Sequence, residues 1–159
     1  MDAGLDGNGN PFREYGLVTM RRVSLTIALL LLTAAAHAAQ VQALLIRASN
    51  DEKLADARLK ELQPQLKKKF GYPYYQQMGE KHESLKTDTV SRLDLGEGFV
   101  VFVTPKATDK KVHELEIEWT SGRASLVKST VKISEGGHLF VKGPAVANDW
   151  IVLALTVHE

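Results

Sequence analysis

The chain reads as α+β and mostly β, an antiparallel β-sandwich or open barrel with one N-terminal helix, kinked or broken near Pro64, packed on it. Three observations predict this. From about Val90 onward, apolar and polar residues alternate in segments separated by glycine-containing turns, the pattern of antiparallel strands. Ahead of them lies one stretch in which leucines recur every three or four residues. The final segment, "WIVLALTV", is nearly continuous apolar sequence, as expected of a central strand covered on both faces.

Each element follows in order. "VQALLIRAS", Val41 to Ser49, is an apolar run of strand length that stops at a polar cluster. Ser49 followed by Glu52 fits a capping box, and Asp51 and Glu52 sit where a helix dipole favours negative charge. Leu59, Leu62, Leu66 and Phe70 define one apolar helical face, Lys67 to Lys69 occupy the last turn, and Gly71 can end it. Pro64 removes a backbone donor and crowds the preceding turn, which predicts a kink or break near Leu62. "GFVVFVTP" is then a strand ending at Pro105.

In "KVHELEIEWT", Leu115, Ile117 and Trp119 share one face and Glu114, Glu116 and Glu118 the other. "TSGRA" supplies a turn, and "SLVKSTVKI" returns with Lys128 and Lys132 on its polar side. A three-residue loop, Ser121 to Arg123, would set Glu116 opposite Lys128, whereas a two-residue loop would bury the lysines. "LFVKGPAV" is a strand interrupted at Gly143-Pro144, and "AND" is the last turn.

The first 38 residues read differently. Arg21 and Arg22 form a basic segment, Val23 to Ala36 an uncharged apolar one, and Ala36-His37-Ala38 the small-x-small pattern accepted by signal peptidase. The apolar stretch is shorter than the roughly 20 residues of a membrane-spanning helix. Residues 20–38 are therefore read as a signal peptide, with the mature chain starting at Ala39. Residues 1–19, with four glycines and two aspartates, make poor sense as part of it and are read as a non-native or disordered extension. The paired arginines lack the rest of a twin-arginine pattern. The expected location is the periplasm or the cell exterior.

Removing the first 38 of the 159 residues leaves 121, enough for one β-rich globular domain, residues 39–159. Three basic and three acidic residues leave together, so the net charge stays at +1, and nothing predicts nucleic acid as a partner. The mature chain contains no membrane span. There is no cysteine, which excludes disulfides, thiol catalysis and cysteine-ligated zinc.

The succession "LLIRASN", "ARLKELQPQLKKKFGYPYY", "GEGFVVFV" and "GGHLFVKGP" before a terminal apolar strand resembles a group of small exported bacterial proteins without assigned activity. That resemblance implies a leader, one early helix and a β-rich domain, and it brings no catalytic residue with it.

Candidate chemistry is sparse. The glutamates Glu114, Glu116 and Glu118 stand roughly 6.5–7 Å apart in sequence order along one strand face, close enough to bracket a cation or act as an acid/base pair. The preferred account is a solvated face balanced across the hairpin by Lys128 and Lys132. Calcium needs six to eight oxygens, more than a flat strand offers. His82-Glu83 and His113-Glu114 lack a second histidine one helical turn on, because Lys86 and Ile117 stand there. His138 and His158 lie on other segments. "QLKKKF" could contact phosphates, although lysines at a helix C-terminus already have an electrostatic reason to be there. Gly96-x-Gly98 lacks the third glycine of a dinucleotide fingerprint, and Trp119 and Trp150 read as core.

"FGYPYYQQM" holds the candidate recognition residues, Tyr72, Tyr74 and Tyr75, each joining a large apolar face to a polar tip. The alternative is that these aromatics plug the end of the sandwich. The functional expectation is a non-enzymatic exported domain that binds a protein or cell-envelope component, with no cofactor. Two alternatives stand beside it: a small glycan hydrolase using Glu114 or Glu116 with Asp94 or Glu97, and a metal-binding periplasmic protein.

Overall fold

Alternation and continuous apolar runs place most of the chain in strands. A computed structural model describes residues 39–109 and 111–158. The extension and the leader read over residues 1–19 and 20–38 lie outside the described residues. In chain order the elements are β1 (Gln40–Ser49), two 3₁₀ turns (Glu52–Leu54 and Ala57–Leu59), α1 (Gln63–Phe70), β2 (Tyr74–Ser84), β3 (Ser91–Gly96), β4 (Phe99–Asp109), β5 (Val112–Ser121), β6 (Ala124–Ser134), β7 (His138–Val146) and β8 (Asp149–His158).

The strands form two four-stranded antiparallel sheets, ordered β2-β1-β8-β7 and β3-β4-β5-β6. Their inner faces meet in one core, where Leu45 of β1 and Leu153 and Leu155 of β8 pack with Val101, Ile117 and Trp119 of the second sheet. The outer face of the first sheet carries a second core, in which Leu44, Ile46, Tyr75, Val152 and Ala154 lie under Leu59 and Leu66. The arrangement is thus sandwich-like with a thin helical layer outside one sheet. β1 and β8 are central and buried on both faces, which is why β8 is apolar almost throughout.

The early helix is shorter than its leucine spacing predicts. Ser49 ends β1, and its hydroxyl accepts the N–H of Asp51, so the Ser49–Glu52 capping box does not form. Asp51 and Asp56 instead cap the two 3₁₀ turns by accepting the N–H groups of Lys53 and Arg58. Pro64 lies in the first turn of α1, where its missing N–H costs no intrahelical bond. Gly71, with φ of 80°, ends the helix. The Leu59, Leu62, Leu66, Phe70 face survives because Leu59 and Leu66 are buried while Leu62 and Phe70 pack at the margin. Each buried leucine contributes about 1.5–3 kcal/mol, which holds an eight-residue helix that would be marginal alone.

The strands differ from expectation in three places. β4 continues past Pro105 to Asp109, because a bulge between Pro105 and Ala107 takes up the irregularity. The β5–β6 loop has two residues, Gly122 and Arg123, with Ser121 paired to Ala124. The lysines nevertheless stay outside. An irregularity between Trp119 and Thr120 leaves Leu126 unpaired and restores the phase, so Lys128 faces Glu118 rather than Glu116. The third difference is β2, an edge strand that "QQMGEKHES" does not announce, since its polar residues alternate with no apolar face.

Gly143-Pro144 does interrupt β7, as a register shift between Lys142 and Ala145. Trp150 is half-buried rather than core, with the ammonium of Lys142 over its ring at 3.6 Å.

Candidate binding groove

The helical layer covers only part of the outer face of the first sheet. Beyond Leu44 that face turns polar. Strand pairing aligns His82 of β2 with Gln42 of β1, Gln42 with Thr156 of β8, and Thr156 with His138 of β7. These four residues form one row across the sheet, about 14 Å long at the usual strand spacing of about 4.8 Å. Arg58, Glu61, Leu62 and Gln65 of the helical layer rise along one side and His158 along the other, enclosing a groove of about 620 Å³. Gln65 and His138 also border a second, shallower depression of about 480 Å³, lined besides by Lys68, Lys69 and Phe140.

Hydrogen bonds order the floor. Gln42 Nε2 and Gln77 Nε2 each donate to the Glu80 carboxylate at 2.7 Å, and His82 Nε2 lies 2.8 Å from its Oε1. Gln42 foremost, then His82 and Gln77, holds the Glu80 carboxyl below the usual range against the opposing effect of burial. His138 Nδ1 is 2.6 Å from the hydroxyl of Thr156. Burial, and then the neighbouring His158, depress the imidazole of His138, which favours its neutral form.

The wall is pinned by Asp56. Its carboxylate accepts from the Arg58 backbone and guanidinium and from Gln77 N–H, while its own N–H donates to Tyr75 O. Arg58 brings the Asp56 carboxyl down to about 2. The Arg58 guanidinium also reaches Gln77 O at 3.1 Å, so the 3₁₀ turn is tied to the edge strand that borders the groove.

The three tyrosines do not make one surface. Tyr75 is wholly buried, and its hydroxyl donates to Leu66 O at 2.9 Å, joining β2 to α1. Burial raises its pKa. Tyr74 is adjacent on the strand and so points to the opposite face. Tyr72 packs at the margin of the helical-layer core. Only Tyr72 and Tyr74 keep partial exposure, and the two lie at the Ser49 end of β1, away from the polar row.

The glutamates are balanced by lysines. Glu116 pairs with Lys106 at 3.0 Å and Lys128 at 3.9 Å, Glu118 with Lys128 at 3.5 Å, and Glu114 with Lys132 at 3.5 Å. Lys106 chiefly lowers the Glu116 carboxyl. Asp94 is engaged by Arg92 at 3.2 Å. Among the described residues, no three His, Asp or Glu side chains are grouped to hold a metal ion. His113 is wholly buried in the inter-sheet core.

No family model, curated protein or solved structure matches this chain. What it does must therefore be read from its own side chains. The groove was open to sequence reasoning in one respect. Gln42 and Thr156 are lone polar residues at outward positions in "VQALLI" and "LALTV", two runs otherwise apolar enough to be buried on both faces. Their alignment with histidines on two other strands is a product of pairing alone. Among the described residues no helix is long and apolar enough to cross a membrane.

Proposed function

We propose that this chain is an exported domain that binds a protein or cell-envelope component without catalysing a reaction, and that the groove over Gln42 and Thr156 is where it binds. The observation that carries the reading is the incomplete helical cover. A face buried over Leu44, Ile46 and Ala48 opens, one row further on, into a walled and hydrogen-bonded polar floor. Ordered polar groups in a concavity supply orientation and specificity.

One carboxyl named for a hydrolase, Glu116, is favoured in its ionised form by Lys106. A glycosidase needs one carboxyl raised to act as acid. Glu80, Glu116, Asp56 and Asp149 are all shifted the other way by their donors. Export is supported by the position of the first strand. Ala39 already accepts Leu85 N–H through its carbonyl and Gln40 opens β1, so cleavage after Ala38 leaves every strand among the described residues whole.

Two measurements test this. Mass spectrometry of the full chain after expression in an exporting bacterium is expected to find a product beginning at Ala39; a product retaining residues 20–38 overturns the export reading. A photo-crosslinking residue at Gln65, on the groove wall, is expected to give discrete adducts with envelope extract, while the same group at Lys132 on the second sheet gives none. Equal labelling at both positions overturns the groove as the binding site.

A further inference from the structure

We propose that the groove takes a phosphate-bearing sugar, with Lys68 and Lys69 binding the phosphate and the Gln42, Thr156 and His138 row binding hydroxyl groups. This rests on the binding reading above and names its ligand class. Helix polarity explains why lysines occupy the last turn of α1. Two of them line a shallow depression with His138 and Phe140, where the Lys69 ammonium lies 5.7 Å from the centre of the Phe140 ring. Neither Lys68 nor Lys69 forms an ion pair with a carboxylate among the described residues, so both ammonium groups are open to an anion. A phosphate there would meet two ammonium groups, whose charge-assisted hydrogen bonds to phosphate oxygens are stronger than neutral ones.

The adjoining cavity has a different character. Its floor is an amide, a hydroxyl and an imidazole, groups that can both donate and accept, as sugar hydroxyls do. The negative groups, Glu61 and Glu80, line this part and not the cavity that holds Lys68 and Lys69. Arg58 is already engaged by Asp56, so it does not compete for the phosphate.

The test is an NMR titration of the exported protein with glucose 6-phosphate, inorganic phosphate, glucose and phosphatidylglycerol vesicles in turn. Glucose 6-phosphate is expected to shift the His138 and His158 ring signals saturably. Inorganic phosphate is expected to bind about tenfold more weakly, a difference of about 1.4 kcal/mol. The Lys68→Gln/Lys69→Gln variant is expected to lose about tenfold in sugar-phosphate affinity, and Lys128→Gln/Lys132→Gln none. All four lysines are exposed, so folding is preserved. Equal affinity for inorganic phosphate overturns the sugar, tighter binding to vesicles overturns the ligand class in favour of lipid, and unaltered binding by the Lys68/Lys69 variant overturns the site. If Gln65 crosslinks to envelope material while glucose 6-phosphate shifts nothing, the ligand class fails and the binding reading stands.

Discussion

The indole of Trp119, reaching across from the second sheet, fills the space that a side chain on Gly143 would need. The glycine-proline interruption of β7 is thereby explained as room for a tryptophan rather than as a turn. Gly143→Ala is expected to destabilise the domain by about 1–3 kcal/mol through overpacking. Urea denaturation measures this, and the loss should shrink in a Trp119→Phe background, where the smaller ring leaves space. A loss of the same size in both backgrounds would show that the two residues do not compete for volume.

Tyr75 ties α1 to the edge strand through one buried hydroxyl. Tyr75→Phe keeps the ring and removes the hydrogen bond from the hydroxyl to Leu66 O, at a cost of about 1 kcal/mol. Hydrogen exchange should show the loss first in α1 and β2, ahead of β5 and β6. Uniform loss of protection would contradict the local anchoring.

Asp56 should make the helical layer acid-sensitive. Its folded-state value lies below that of the unfolded chain, so its stabilisation is complete above about 4 and is lost as the pH falls toward 2. The contribution is on the order of 1 kcal/mol once the exposure of Arg58 is allowed for. Asp56→Asn is expected to remove that part of the acid dependence in denaturation curves recorded between pH 5 and pH 2. An unchanged curve would place the acid sensitivity elsewhere.

The glutamate face should be dispensable. Because Glu114 and Glu116 are half-exposed and paired with long, mobile lysines, Glu114→Gln and Glu116→Gln are expected to leave both melting temperature and groove binding where they are. Deleting Leu126 is a different matter. It removes the bulge that keeps Lys128 and Lys132 outside, so the β5–β6 hairpin must bury them or shift register, and soluble folded protein should be lost.

His113 is buried with both ring nitrogens lacking a hydrogen-bond partner among the described residues. Leaving polar atoms so costs free energy, and His113→Leu is expected to raise stability by about 1 kcal/mol. A lower urea midpoint for the variant would mean that the imidazole has a partner.

Much of this architecture was legible in the residues. The alternation of β5, the two-sided burial of β8, the end of α1 at Gly71 and the leucine face above it all follow from local pattern, because each is written in which side chains must leave water. Tertiary structure decided the rest. A bulge changes no composition, so the pairing of Glu118 with Lys128 could not be read ahead. β2 is held by backbone bonds to β1 and borders a groove on one side, so it needs no apolar alternation to be a strand. The polar row itself exists only across strands: Gln42, His82, His138 and Thr156 are scattered along the chain and meet through register alone, which no local pattern encodes.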